Sequence, residues 1–61
     1  MDLNTKDVLK KKILDSQEMV RDYEKFSKQI RDTEIAQTFK TFAEESGMQA
    51  QKLKKILEKT K

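Results

Sequence analysis

Sixty-one residues with a net charge of +3, no Cys, no His and no Pro confine this chain to one small domain. A lone domain of that size buries only about 60% of its unfolded surface, and disulfides, a structural metal or association normally make up the deficit. Without Cys or His, disulfides are excluded and a zinc site is ruled against, so association is the expected source of stability.

Charged residues make up 41% of the chain and there is one Gly, a composition that suits long polar helices and lacks the turn residues of sheets. No apolar run approaches the roughly 20 residues of a membrane span. The opening Met1-Asp2-Leu3-Asn4 has neither the basic region nor the apolar stretch of a signal peptide. A soluble, cytoplasmic protein is the expectation.

In chain order, Asn4 is a good N-cap for a first helix. Leu3 and Val8 stand where a hydrophobic staple would sit, and Asp7 falls at the third helical position. The helix is predicted over about residues 5–30. Its inward stripe is Leu9, Ile13, Ser16, Val20, Tyr23, Ser27 and Ile30, at steps of four and three, with Met19 and Phe26 flanking one side. Arg31-Asp32-Thr33 breaks the pattern, and Asp32 is placed to cap a second helix with Glu34 in its first turn. A turn over about 31–33 makes the helices antiparallel neighbours.

The second helix is predicted over about 33–59. Its stripe is Ile35, Phe39, Phe42, Ser46, Gln49, Leu53 and Ile56, with Ala36, Ala43, Ala50 and Leu57 beside it every seven residues. The alanines are read as a small-residue margin facing the large margin of Met19 and Phe26. Gly47 falls on the outer side, while Leu14 and Met48 fall outside both stripes. Tyr23, Phe26, Phe39 and Phe42 gather near the turn, more aromatic surface than one helix–helix seam covers. A second hairpin would complete a four-helix bundle. Val20, Tyr23, Phe26, Phe39, Phe42, Leu53 and Ile56 are therefore the expected homodimer interface.

Several runs resemble a known family. They are Tyr23-Glu24-Lys25-Phe26, Arg31-Asp32-Thr33-Glu34-Ile35, Phe39-Lys40-Thr41-Phe42-Ala43-Glu44-Glu45 and Ala50-Gln51-Lys52-Leu53. Over roughly Asp15 to Glu58 the chain resembles a helical hairpin of the rubrerythrin branch of the ferritin-like proteins. The resemblance implies a four-helix bundle around two iron or manganese ions, each hairpin supplying a Glu and a Glu-x-x-His. At the matching positions this chain carries Ser16, Ser46 and Gln49, whose neutral oxygens are poor ligands for those metals. Glu18 lies about 150° from the middle of the apolar face, and Glu44 and Glu45 point outward or to the margin. No metal and no cofactor is expected, and the three residues are read as one polar layer.

Other chemistry has less support. Catalysis without His or Cys would need Ser plus Lys or paired carboxylates in a pocket, and no phosphate-binding Gly-rich loop is present. Ser16 and Ser27 read as helix-stripe residues, and Tyr23 as a core aromatic with its hydroxyl turned to a polar neighbour. Charge is uneven along the hairpin. Residues 1–14 and 50–61 hold nine Lys against three acids, net +6, and residues 15–49 hold five bases against eight acids, net −3. A basic end is the kind of surface that touches nucleic acid or an anionic membrane, yet no Arg or aromatic residues interleave the lysines. The sequence thus favours a small non-catalytic interaction or structural module. The alternatives are a rubrerythrin-like metal-binding oxidoreductase and a basic helical binder.

Overall fold

A computed structural model describes residues 4–60. The described residues form two α-helices and no strand: α1 over Thr5–Gln29 and α2 over Thr33–Lys59. The pairing of Leu3 with Val8 lies outside the described residues.

Each boundary has a local cause. The Asn4 side chain accepts the Lys6 amide at 2.9 Å, supplying one of the amide partners a helix start lacks. Asp7 sits in the positive first turn and Lys28 in the negative last one. Ile30 leaves the helix with extended backbone while its N–H still donates to the Phe26 carbonyl at 3.0 Å. The turn therefore lies one residue earlier than the sequence pattern predicts, and Thr33 is already helical. The Asp32 carboxylate accepts from both the Glu34 and Ile35 amides, at 3.0 and 3.1 Å. At the far end the Thr60 hydroxyl donates to the Ile56 carbonyl at 2.8 Å.

The hairpin is a slab of 45 × 22 × 12 Å. Its short dimension is about the diameter of one helix, so the helices form a single layer. A compact chain of this length has a radius of gyration of about 10–11 Å, against 14.3 Å here. The exposed surface is 5331 Å². A compact monomer of 7.2 kDa exposes about 4100 Å².

The seam between the helices is made of small side chains. Ala43, Ala50, Ser27 and Ser46 are buried there together with Ile13, and among the described residues no large side chain is fully buried. This reverses one expectation. The alanines are the middle of the seam in α2, and Ile35, Phe42, Gln49 and Ile56 of the predicted inward stripe are exposed. Small residues let the two backbones approach closely, and α2 turns that side toward α1 and swings its large side chains outward.

Gly47 also departs from expectation. It is half-buried against α1, and a Cβ built there would meet Val20 Cγ2 at 3.8 Å, an ordinary contact distance. Its backbone φ is not positive. Helix propensity then decides the outcome. Gly47→Ala is expected to stabilise the fold by about 1 kcal/mol, read as a higher midpoint in urea unfolding followed by circular dichroism. A lower midpoint would mean that the seam needs a closer approach at Gly47 than this contact indicates.

Candidate functional site

The large side chains displaced from the seam gather on one side of the slab. Met19, Phe26, Ile35, Phe42 and Ile56 are each 38–45% exposed. Tyr23 of α1 stands between Phe39 and Phe42 of α2, with ring centroids 5.2 and 5.4 Å apart in edge-to-face geometry. No hydrogen bond from the Tyr23 hydroxyl to the protein is present among the described residues, contrary to the expectation of a polar neighbour. Phe26 lies nearer the turn with the Lys25 ammonium 5.7 Å from its ring centre.

Below the aromatic cluster, at mid-height, the same side carries an open hollow of about 410 Å³. Ser16, Ser46 and Gln49 line it together, with Met19, Tyr23 and Phe42. A second, more apolar hollow of about 450 Å³ continues toward the termini, lined by Leu53 and Ile56 and sharing Ser16 and Gln49 with the first. The two form one groove, apolar at either end and polar in the middle. The reverse side has its own hollow of about 400 Å³, lined by Val20, Ala43 and Gly47 with Glu24, Lys40 and Glu44.

Most of the expected interface residues thus lie along the groove or in its aromatic wall. Val20 does not. It follows Met19 by one residue, a 100° step round the helix, and that step carries it to Gly47 and the reverse side. Leu14 and Met48 are exposed away from the seam, at 61% and 68%. Three charged residues that the stripe pattern does not single out line the mid-height hollow: Lys12, Asp15 and Glu45. Lys12 stands one turn from Ser16, and Asp15 and Glu45 each precede a hollow-lining serine. Those short offsets were the only signal for them.

The polar layer is neutral at its centre. Ser46 is buried, Ser16 half-buried and Gln49 exposed. Among the described residues no hydrogen bond links the three to one another. Nor does any group of three or more acidic side chains stand close enough to hold a metal ion. Glu18 and Glu44 are exposed away from the hollow.

Charge at the rim is held by Asp15, which the Lys11 ammonium meets at 3.0 Å and the Lys12 ammonium at 3.6 Å. The hydrogen bond from Lys11 holds the Asp15 carboxyl below its ordinary value of 3.8; desolvation opposes it, and the positive charges of Lys11 and Lys12 add to the lowering. Pairs this exposed contribute little to stability.

Comparison with protein-family models, with curated proteins and with solved structures finds no match. The groove must be interpreted from its own chemistry.

Because the folded-state pKa of Asp15 is depressed, its ion pairs favour the fold above pH 3.8 and are lost as pH falls through the lowered value. The Asp15 carboxyl carbon is expected to titrate below 3.8 at low salt and to move back toward that value in 1 M salt. An NMR titration midpoint at or above 3.8 in low salt would remove the pairing.

Proposed function

We propose that this chain is a small non-catalytic association module that works as a homodimer. Two hairpins stack groove to groove into an antiparallel four-helix bundle of ferritin-like type without the di-metal site of that family. The observation that carries this reading is the groove itself: one continuous face, apolar at both ends and polar in the middle, on a slab only 12 Å thick. The chain exposes roughly 1200 Å² more than a compact monomer of its mass, comparable to the ~800 Å² that a partner contributes to a stable interface. A second copy presents the same face, and two-fold symmetry makes such a contact self-complementary and closed.

Charge favours one orientation. With turns at the same end, two ends of net −3 meet and two of net +6 meet. Turn to tail, the Asp22, Glu24, Glu44 and Glu45 end of one copy lies alongside the lysine-rich end of the other. The two-fold axis then crosses the middle of the bundle. Ser46 is the central residue of Thr33–Lys59, and Ser16 stands one residue from the centre of Thr5–Gln29. The two polar layers therefore meet at mid-height. The ferritin-like reading is supported by the position of Ser16, Ser46 and Gln49 around one hollow, where a bundle of that type holds its ligands. The lack of Cys suits a cytoplasmic setting.

Sedimentation at micromolar concentration is expected to give twice 7.2 kDa, and a monomer would overturn the dimer. Orientation has its own test, since the chain has no native Cys. A two-fold through Ser46 sets residue 35 of one copy opposite residue 57 of the other. Mixed Ile35→Cys and Ile56→Cys chains are expected to cross-link efficiently with a short bismaleimide, and Ile35→Cys alone poorly. Efficient linkage of Ile35→Cys to itself, with little mixed product, would place the turns together.

The family likeness can be tested constructively. Ser16→Glu, Ser46→Glu and Gln49→His combined are expected to bind iron or manganese stoichiometrically by metal analysis after gel filtration. No gain in metal over the unaltered protein would set the ferritin-like alignment aside.

A further inference from the structure

Among the described residues the hydroxyls of Ser16, Tyr23 and Ser46 in the groove make no hydrogen bond, and Ser46 is the most deeply buried of the three. Ser46 is 7% exposed and lines the mid-height hollow. The other buried serine, Ser27, donates to the Glu24 carbonyl at 2.8 Å. Thr38, Thr41 and Thr60 each donate to the carbonyl four residues back. Among the described residues Ser46 makes no such bond. Its hydroxyl therefore faces the hollow with its hydrogen-bonding capacity unused. In the free hairpin, water entering the open hollow satisfies it. Closing the groove removes that water, and a buried hydroxyl left unpaired is costly.

We infer that Gln49 of a second copy supplies the missing partner, reaching into the hollow and hydrogen-bonding the Ser46 hydroxyl across the interface. The inference rests on the homodimer reading and adds a residue that each copy contributes to the other's site. Gln49 is exposed on the hairpin, and its amide makes no hydrogen bond within the chain among the described residues. The amide carries both donors and an acceptor, so it can satisfy a hydroxyl in either sense. Its register is also correct. With the two-fold axis at Ser46, Gln49 lies three residues along the helix from the partner's serine, about 4.5 Å in height. Its opposite position is residue 43, one step from Phe42, which lines the hollow with Ser46. Symmetry then forms the bond twice, once on each side of the axis.

Mixed dimers separate this bond from any coupling within one chain. A Gln49→Ala homodimer lacks both bonds, and so does a Ser46→Ala homodimer. A dimer of one chain of each kind keeps one bond, between the intact Gln49 of one and the intact Ser46 of the other. Equal amounts of the two variants would be mixed, equilibrated and weighed as intact assemblies by native mass spectrometry. The ratio of mixed dimer to either homodimer is expected to exceed the binomial two-to-one by about fivefold, the effect of one neutral hydrogen bond. Binomial proportions, or a deficit of mixed dimer, would overturn the bond and leave the homodimer standing. A monomeric unaltered protein would overturn both. Gln49 is exposed and Ser46→Ala is smaller by one oxygen, so both variants keep the seam, and unchanged helicity by circular dichroism verifies this.

Discussion

The close seam between the two helices is the constraint on which the rest of the structure depends. Ala43 and Ala50 of α2 and the serines beside them let the backbones approach, and a seam built from such residues has little room for large side chains beyond Ile13. Tyr23, Phe39, Phe42, Leu53 and Ile56 must then go elsewhere, and the only apolar shelter a hairpin offers is the edge of the seam. They collect on one side, where Tyr23 wedges between Phe39 and Phe42. One packing choice thus produces both a thin slab and a sticky face. Had α2 turned its large stripe inward, the hairpin would be thicker, better filled and far less in need of a neighbour.

The groove divides its chemistry by height. Toward the turn it is aromatic, toward the termini aliphatic, and at the centre it carries hydroxyls and an amide, with Lys12, Asp15 and Glu45 lining the rim. Apolar surface supplies adhesion in proportion to the area covered and says little about alignment. Polar groups act differently, because a shift of one helical turn leaves them facing hydrocarbon. A neutral central layer between two apolar ones therefore supplies register at small cost to adhesion. In the proposed homodimer most of the charge at the two ends lies outside the groove, where salt screens it, while Lys12 and Lys52 stand along it.

Much of the hairpin was legible in the sequence, for local reasons. Asn4 and Asp32 are capping residues whose side chains accept amides in the structure, and the helix bounds follow from them to within a residue. The 4-3 spacing marked which third of each helix is apolar. It did not mark which edge of that third faces the other helix. The alanine edge and the large-residue edge of α2 differ by a small rotation, and the choice belongs to the distance between helices, which is not a local property. Gly47 was misplaced for this same reason: a rotation of α2 brings it in against Val20, which lines the reverse hollow. Ser16, Ser46 and Gln49 share one hollow because their numbers place them at one height, and that follows from the position of the turn alone.

The chemistry of the central layer bears on whether such a bundle needs a metal at all. Carboxylates placed in the middle of a closed interface repel one another and are stripped of water, so they require cations to be stable there. Imidazoles add ligands but no remedy for that charge. A layer of two hydroxyls and an amide carries no such requirement, since each neutral group needs only a hydrogen-bond partner. In the proposed homodimer the cost of closing the groove is then that of pairing a few dipoles, and a second copy of the chain carries the groups that can do it. Ser16, Ser46 and Gln49 therefore make a layer that association alone can satisfy, in a chain that has no His or Cys with which to recruit a metal.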